Sequence, residues 1–144
     1  YDYKSLKILK TIIAQEYHQY LKELNIKEEP AYIHGWANIL RTGRDIGKHH
    51  HADAHCEAPE EYAHISGNIC IHAENTKTHY ISPFIRTMSA SLQNNIGDIV
   101  LFPSWVEHAT DKNPSSTPRL SLAFDIITET VYNMVDTKLF VPLT

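Results

Sequence analysis

The chain is poor in thiols. Two cysteines in 144 residues, Cys56 and Cys70, do not make a disulfide framework, so a reduced, cytoplasmic setting is the expectation. A basic cluster is also missing. The 13 Lys and Arg residues are scattered, only Arg41, Arg44 and Lys48 lie close together, and the formal net charge is −4. That balance argues against a nucleic-acid partner. No run approaches the length of apolar sequence needed to cross a bilayer, which predicts no membrane span. The opening Tyr-Asp-Tyr-Lys lacks both Met and an apolar signal core, so a trimmed or partly ordered N-terminus is expected. Repeats, low-complexity tracts and linkers are absent too. What remains is an ordinary globular composition, 42% hydrophobic and 21% charged, in a length that suits one domain over residues 1–144.

Within that domain, residues 1–28 are expected to hold a helix, 32–128 a β core and 129–144 a tail. Leu6, Leu9, Ile13, Tyr17, Tyr20 and Leu24 recur at spacings of three and four, predicting an amphipathic helix over residues 3–24. Asn25 and then Glu28-Glu29-Pro30 end it. Beyond Pro30 the pattern becomes short, aromatic and β-prone, giving strands over 32–40, 64–72, 79–85, 98–102 and 120–127. Residues 94–98 read as a turn, 113–118 as a loop, and 131–143 as a last strand or an outer wrap. Several short strands after one long helix predict a sandwich or barrel with the helix on its outside.

The densest chemistry is His49-His50-His51-Ala52-Asp53-Ala54-His55, with His108 far downstream and Arg119 eleven residues beyond that. Imidazole and carboxylate are the ligands a redox-active divalent metal takes when thiolates are absent, and two His plus one carboxylate make the facial set of non-haem ferrous sites. Residues i and i+2 share a face of extended chain, so His51 and Asp53, or His49 and His51, can present two ligands from one segment. His108, at the far end of an apolar strand, supplies the third. On the following strand the Arg119 guanidinium suits a buried carboxylate better than an ammonium would. Ser121 shares its face.

These parts resemble the 2-oxoglutarate- and Fe(II)-dependent oxygenases. More narrowly, they resemble the small oxygenases of cyanophages and marine bacteria related to the prolyl-hydroxylase branch. The likeness runs from Trp36-Ala37-Asn38-Ile39 through Gly43, His49/His51, Ser66-Gly67-Asn68-Ile69-Cys70-Ile71 and Gly97-Asp98 to Phe102-Pro103-Ser104-Trp105-Val106-Glu107-His108. It ends at Arg119-Leu120-Ser121 and covers about residues 36–125. The resemblance implies a mainly β fold: a double-stranded β-helix (jelly-roll, cupin-like) with an N-terminal supporting α-helix. It also implies Fe(II), O2 and 2-oxoglutarate as a small-molecule co-substrate, with ascorbate as reductant, and hydroxylation of a C–H bond with release of succinate and CO2. No catalytic residue is expected beyond the metal ligands. A peptide or protein substrate is implied by kinship alone, and a host-cell cytoplasm if the gene is a phage's.

Two ligand registers stay open. Counting without gaps from Trp36 puts the proximal pair on His49 and His51. The commoner ligand chemistry, and a long gap to Ser66-Gly67, favour His51 and Asp53, with His49 the alternative to Asp53. Arg119 and Ser121 are expected to hold the distal carboxylate of the co-substrate. Asn38 is either a co-substrate contact or a buried amide, and Glu107 or Asp45 is expected to orient a ligand histidine. The family's strand tyrosines are replaced here by Ile69 and Cys70. Trp36 and Trp105 read as core, Cys70 as a small buried hydrophobe, Cys56 as an exposed thiol, and His55, His64, His72 and His79 as bystanders. Specificity is expected in loops 41–48, 54–62 and 86–95. A cupin-type metal binder, non-enzymatic or isomerase-like, is the alternative; it would need the imidazoles but not Arg119. A degenerate oxygenase fold serving as an interaction module is a third reading.

Overall fold

The computed structural model describes residues 4–51, 65–82, 84–85, 89–134 and 139–143. In chain order the elements are α1 (Lys4–Glu23), β1 (Ala31–Leu40), β2 (Ile65–His72), β3 (Lys77–Ile81), β4 (Ser89–Gln93), β5 (Ile99–Pro103), β6 (Glu107–Thr110), β7 (Arg119–Thr128), α2 (Glu129–Tyr132) and β8 (Val141–Pro142). The fold is mainly β, with an N-terminal helix and two sheets. Two compact units form, Tyr1–His34 with Ile126–Thr144 and Gly35–Asp125; β1 and β7 each contribute residues to both. No helix among the described residues is long and apolar enough to cross a membrane.

The first unit is built on α1. Its buried stripe is Ile13, Ala14, Tyr17 and Leu21, an i, i+4, i+8 line. Leu6 and Leu24, predicted to belong to the apolar face, are more than half exposed. The stripe is therefore narrower than the periodicity suggested and lies in the second half of the helix. Asn25 stops the helix in the left-handed region, at φ 54°, with Asn25 N–H donating to the Lys22 carbonyl and Ile26 N–H to that of Leu21. This pair of bonds satisfies carbonyls that a helix end otherwise leaves open. The predicted tail resolves into α2, capped by the Thr128 side chain, and β8, which pairs antiparallel with β1 through Tyr32 and Ile33.

The second unit carries the three-stranded sheet and all of the five-stranded one except β8, the start of β1 and the end of β7. One places β5, β2, β7 and β1 side by side, and the other has the order β4-β3-β6. Strand alternation turns Trp36, Asn38 and Leu40 of β1 partly inward and exposes Gly35, Ala37 and Ile39 between them. On β7, Arg119, Ser121 and Ala123 are all buried. Gly67 is needed where β2 meets Phe124: a Cβ there would run into the Phe124 ring and come within 2.9 Å of Leu101 Cδ2.

Several expectations need correction. β4 occupies part of the stretch read as a loop over 86–95; all five of its residues are exposed, so no buried alternation marked it. β3 spans Lys77–Ile81 rather than 79–85, stopping before Ser82-Pro83, where proline cannot donate to a ladder. The strand expected over 98–102 is β5, which closes at Pro103; beyond a turn His108, expected at that strand's far end, lies on a strand of its own, β6, in the other sheet.

Candidate metal centre

Residues 46–51, which follow β1, are laid onto β6 and the turn before it by main-chain bonds. Thr110 N–H donates to the Ile46 carbonyl at 3.0 Å, and His49 and His108 exchange reciprocal backbone bonds of 3.0 and 2.8 Å. His51 N–H reaches the Ser104 carbonyl at 2.9 Å. This lacing brings one ring nitrogen from each of His49, His51 and His108 to within 4.8 Å of one another. His50, between them, is exposed. Asp53, His55, Cys56 and His64 lie outside the described residues.

Each imidazole is held from behind. His49 Nδ1 faces the Gly47 carbonyl at 2.8 Å, His108 Nδ1 the Val106 carbonyl at 3.1 Å, and His51 Nδ1 an Asp125 carboxylate oxygen at 2.8 Å. Carbonyls and carboxylates only accept, so each ring carries a proton on Nδ1, and Nε2 is the nitrogen left to offer a lone pair. The Nε2 atoms of His49 and His51 are 3.1 Å apart. Two imidazole nitrogens at that separation need a proton or a cation between them. Burial above all, and then the neighbouring His49 and His51, push the His108 pKa down to about 4, so this ring is neutral at ordinary pH, the form in which imidazole can bind a metal. The donor set therefore fits a divalent metal that takes imidazole.

Beside the imidazoles is a cavity of about 130 Å³ whose wall includes Trp36, Asn38, Asn68, Thr78, Arg119 and Ser121. Arg119 is 3% exposed. Its Nη2 makes one long contact to Thr78 Oγ1, 3.4 Å, and its Nε and Nη1 have no partner among the described residues. Burial lowers its pKa, yet a guanidinium stays charged. A buried cation with two unused donors fits a carboxylate ligand, whose two oxygens match its fork. Ser121 is buried in the same wall, and Asn38 is a half-buried wall residue.

Other expected positions fall differently. Glu107 pairs with Lys48 at 2.9 Å and Asp45 is exposed. The side chain behind His51 is Asp125, which the sequence reading passed over. Its signal was a lone carboxylate in the apolar run Ala-Phe-Asp-Ile-Ile, in step with Arg119 and Ser121 at every second residue. Trp36 is not core: it lines the cavity, its ring centroid 5.4 Å from that of His51. Trp105 is 38% exposed and meets Phe84 edge-on at 5.3 Å, because it sits in the turn between β5 and β6. Cys70 is buried, as a small hydrophobe would be. His79 bridges Ser91 and Asp111, at 2.8 Å to each.

The chain matches the family described as "Putative 2OG-Fe(II) oxygenase" over residues 34–125. Its fold is similar to the non-heme alpha ketoglutarate dependent epimerase SnoN from nogalamycin biosynthesis, with TM-score 0.56, 13% identity, and 69% of this chain and 48% of that one covered. The carbocyclase SnoK from the same biosynthesis gives TM-score 0.56, 12% identity and coverage of 81% and 63%. The non-heme monooxygenase ThoJ–Ni complex gives 0.52, 14%, 80% and 48%. At such identities the likeness is one of fold. The chain spans between about half and under two thirds of the length of these proteins. No curated protein sequence matches it.

Proposed function

The chain belongs to this 2OG-Fe(II) oxygenase family, and on that premise we propose that it is a 2-oxoglutarate- and Fe(II)-dependent dioxygenase. The reaction is hydroxylation of a substrate C–H bond with release of succinate and CO2, on a double-stranded β-helix. The observation that carries this reading is the pairing of an imidazole trio with the unsatisfied, buried Arg119 guanidinium in one cavity.

His49, His51 and His108 would hold the metal, and Arg119 with Ser121 the distal carboxylate of the co-substrate, Asn38 lying in the same wall. Bound there, Fe(II) with 2-oxoglutarate and O2 supplies the oxidative decarboxylation and the oxidising power; the chain's own work is placement. The backbone carbonyls of Gly47 and Val106 hold two rings in the ligating tautomer. Arg119 selects a dicarboxylate over a monocarboxylate, since only the former can reach its fork while using its other end elsewhere. Trp36 and Phe102, which also line the cavity, exclude water from the imidazole side. A peptide or protein is proposed as the oxidised substrate, on the sequence resemblance to the prolyl-hydroxylase branch alone.

A cupin-type metal binder has no use for Arg119, so this residue separates the two readings. Protein loaded with Fe(II) and ascorbate should bind 2-oxoglutarate and release succinate slowly even without substrate. Arg119→Ala should abolish both while leaving metal content intact. Loss of metal alongside loss of turnover would count against the assigned role, and a wild type that binds no 2-oxoglutarate would overturn the oxygenase reading.

A further inference from the structure

Two of the three imidazoles are held by the main chain, but His51 is held by a side chain. Asp125 Oδ1 accepts from His51 Nδ1 at 2.8 Å and from Ser66 Oγ at 2.6 Å. Ser66 is fully buried, and the His51 and Asp125 side chains are 9% and 15% exposed. A carboxylate this deep in an apolar strand carries a desolvation cost that its hydrogen bonds only partly offset. It stands in step with Arg119, Ser121 and Ala123 on β7, so the strand that presents the cavity's cation also presents the anion behind the metal centre.

We propose that Asp125 is the positioning residue of this centre: acting through His51, it fixes the ring's tautomer and orientation and supplies the negative charge that three neutral imidazoles lack. The inference rests on His51 being a ligand, as proposed above. The facial set of two histidines and a carboxylate binds its metal with one anionic ligand. Here a carboxylate lies one residue removed from the imidazole trio, making His51 a stronger donor by drawing on its Nδ1 proton. Ser66 keeps that carboxylate from rotating away.

Two variants separate charge from geometry. Asp125→Asn keeps the shape and removes the charge; Asp125→Ala removes the acceptor. Co(II) titration of each should show the metal Kd raised about 10–100-fold, with Ser66→Ala giving a smaller rise. In the metal-free protein, imidazole 15N NMR should find His51 with its proton on Nδ1 in the wild type and redistributed towards Nε2 in Asp125→Ala. A purely structural role would leave that tautomer unmoved. Both variants binding Co(II) within twofold of a wild type that binds it would overturn the inference alone. A wild type that takes up no Co(II) would overturn the metal reading, and the inference with it.

Discussion

His49 Nε2 stands 3.1 Å from His51 Nε2, closer than two lone pairs tolerate with nothing positive between them. With His108 the contact brings three imidazole nitrogens together, and this is the ground for proposing His49 and His51 as the proximal pair; Asp53 lies outside the described residues. Single replacement of His49, His51 or His108 by Ala should weaken Fe(II) or Co(II) binding more than about 100-fold, beyond the usual effect of an outer residue. Asp53→Ala should change it less than threefold. The reverse pattern in a titration, Asp53 essential and His49 dispensable, would return the proximal pair to His51 and Asp53.

Arg119 is a buried charge waiting for an anion. In the apo protein it lowers stability, and a dicarboxylate should relieve that. Saturating 2-oxoglutarate at 100 times its Kd should stabilise the metal-loaded wild type by about 2.7 kcal/mol, as mass action requires. Arg119→Met should gain nothing from the ligand, and its apo form should be no less stable than the wild type. Arg119→Lys should rescue poorly, because an ammonium is not a fork. Thermal shifts with and without 2-oxoglutarate read all three.

Acid should destabilise the metal-free protein through His108. Its folded pKa, about 4, lies below the ordinary value near 6.5, so between those limits the unfolded chain binds more protons. Stability is then complete above pH 6.5 and falls as the pH drops towards 4, by at most about 3 kcal/mol from this group. Urea midpoints at pH 7 and pH 4.5 measure the loss. His108→Gln should flatten the profile, and an unchanged slope in that variant would assign the acid sensitivity to other groups.

Gly67→Ala tests the close approach of β2 to the Phe124 ring. The new methyl would press into Phe124, which is 2% exposed, and the fold has little room to yield. A destabilisation of about 1–3 kcal/mol is expected, visible as a lower Tm. An unperturbed Tm would show that the Phe124 ring swings aside at no cost.

In the first unit Tyr17 buries a hydroxyl. The residue is 1% exposed and its Oη has no partner among the described residues. Burial, followed by Glu29 and Glu28, pushes its pKa up to about 12, so the group stays neutral. Tyr17→Phe should leave stability unchanged or raise it by about 1 kcal/mol. A clear loss in a denaturation curve would reveal a hidden partner for the oxygen.

The helix, most strands and the cast of the site were legible because each carries a strong local pattern. Period 3.6 marked α1, apolar runs marked β2, β5 and β7, and Phe-Pro-Ser-Trp-x-x-His marked the approach to His108. β4 was not legible, since Ser-Ala-Ser-Leu-Gln is exposed throughout and alternates nothing. Asp125 was missed for the opposite reason. Its meaning is a contact with His51 across 74 residues, and no local spacing encodes a contact of that span. Trp36 was misjudged because a large aromatic in a strand usually means core, and here the strand's inner face lines a cavity.

The reciprocal main-chain bonds between His49 and His108 have a bearing on how the centre is supplied. They join the two halves of the imidazole trio through atoms common to every residue. If the trio holds a metal, as proposed, ion entry should carry little of the ordering cost that small zinc domains meet on folding. Stripping and refilling would then be reversible exchange at a standing vessel, and the metal taken up would be decided by what the surrounding solution offers and how tightly the imidazoles grip it.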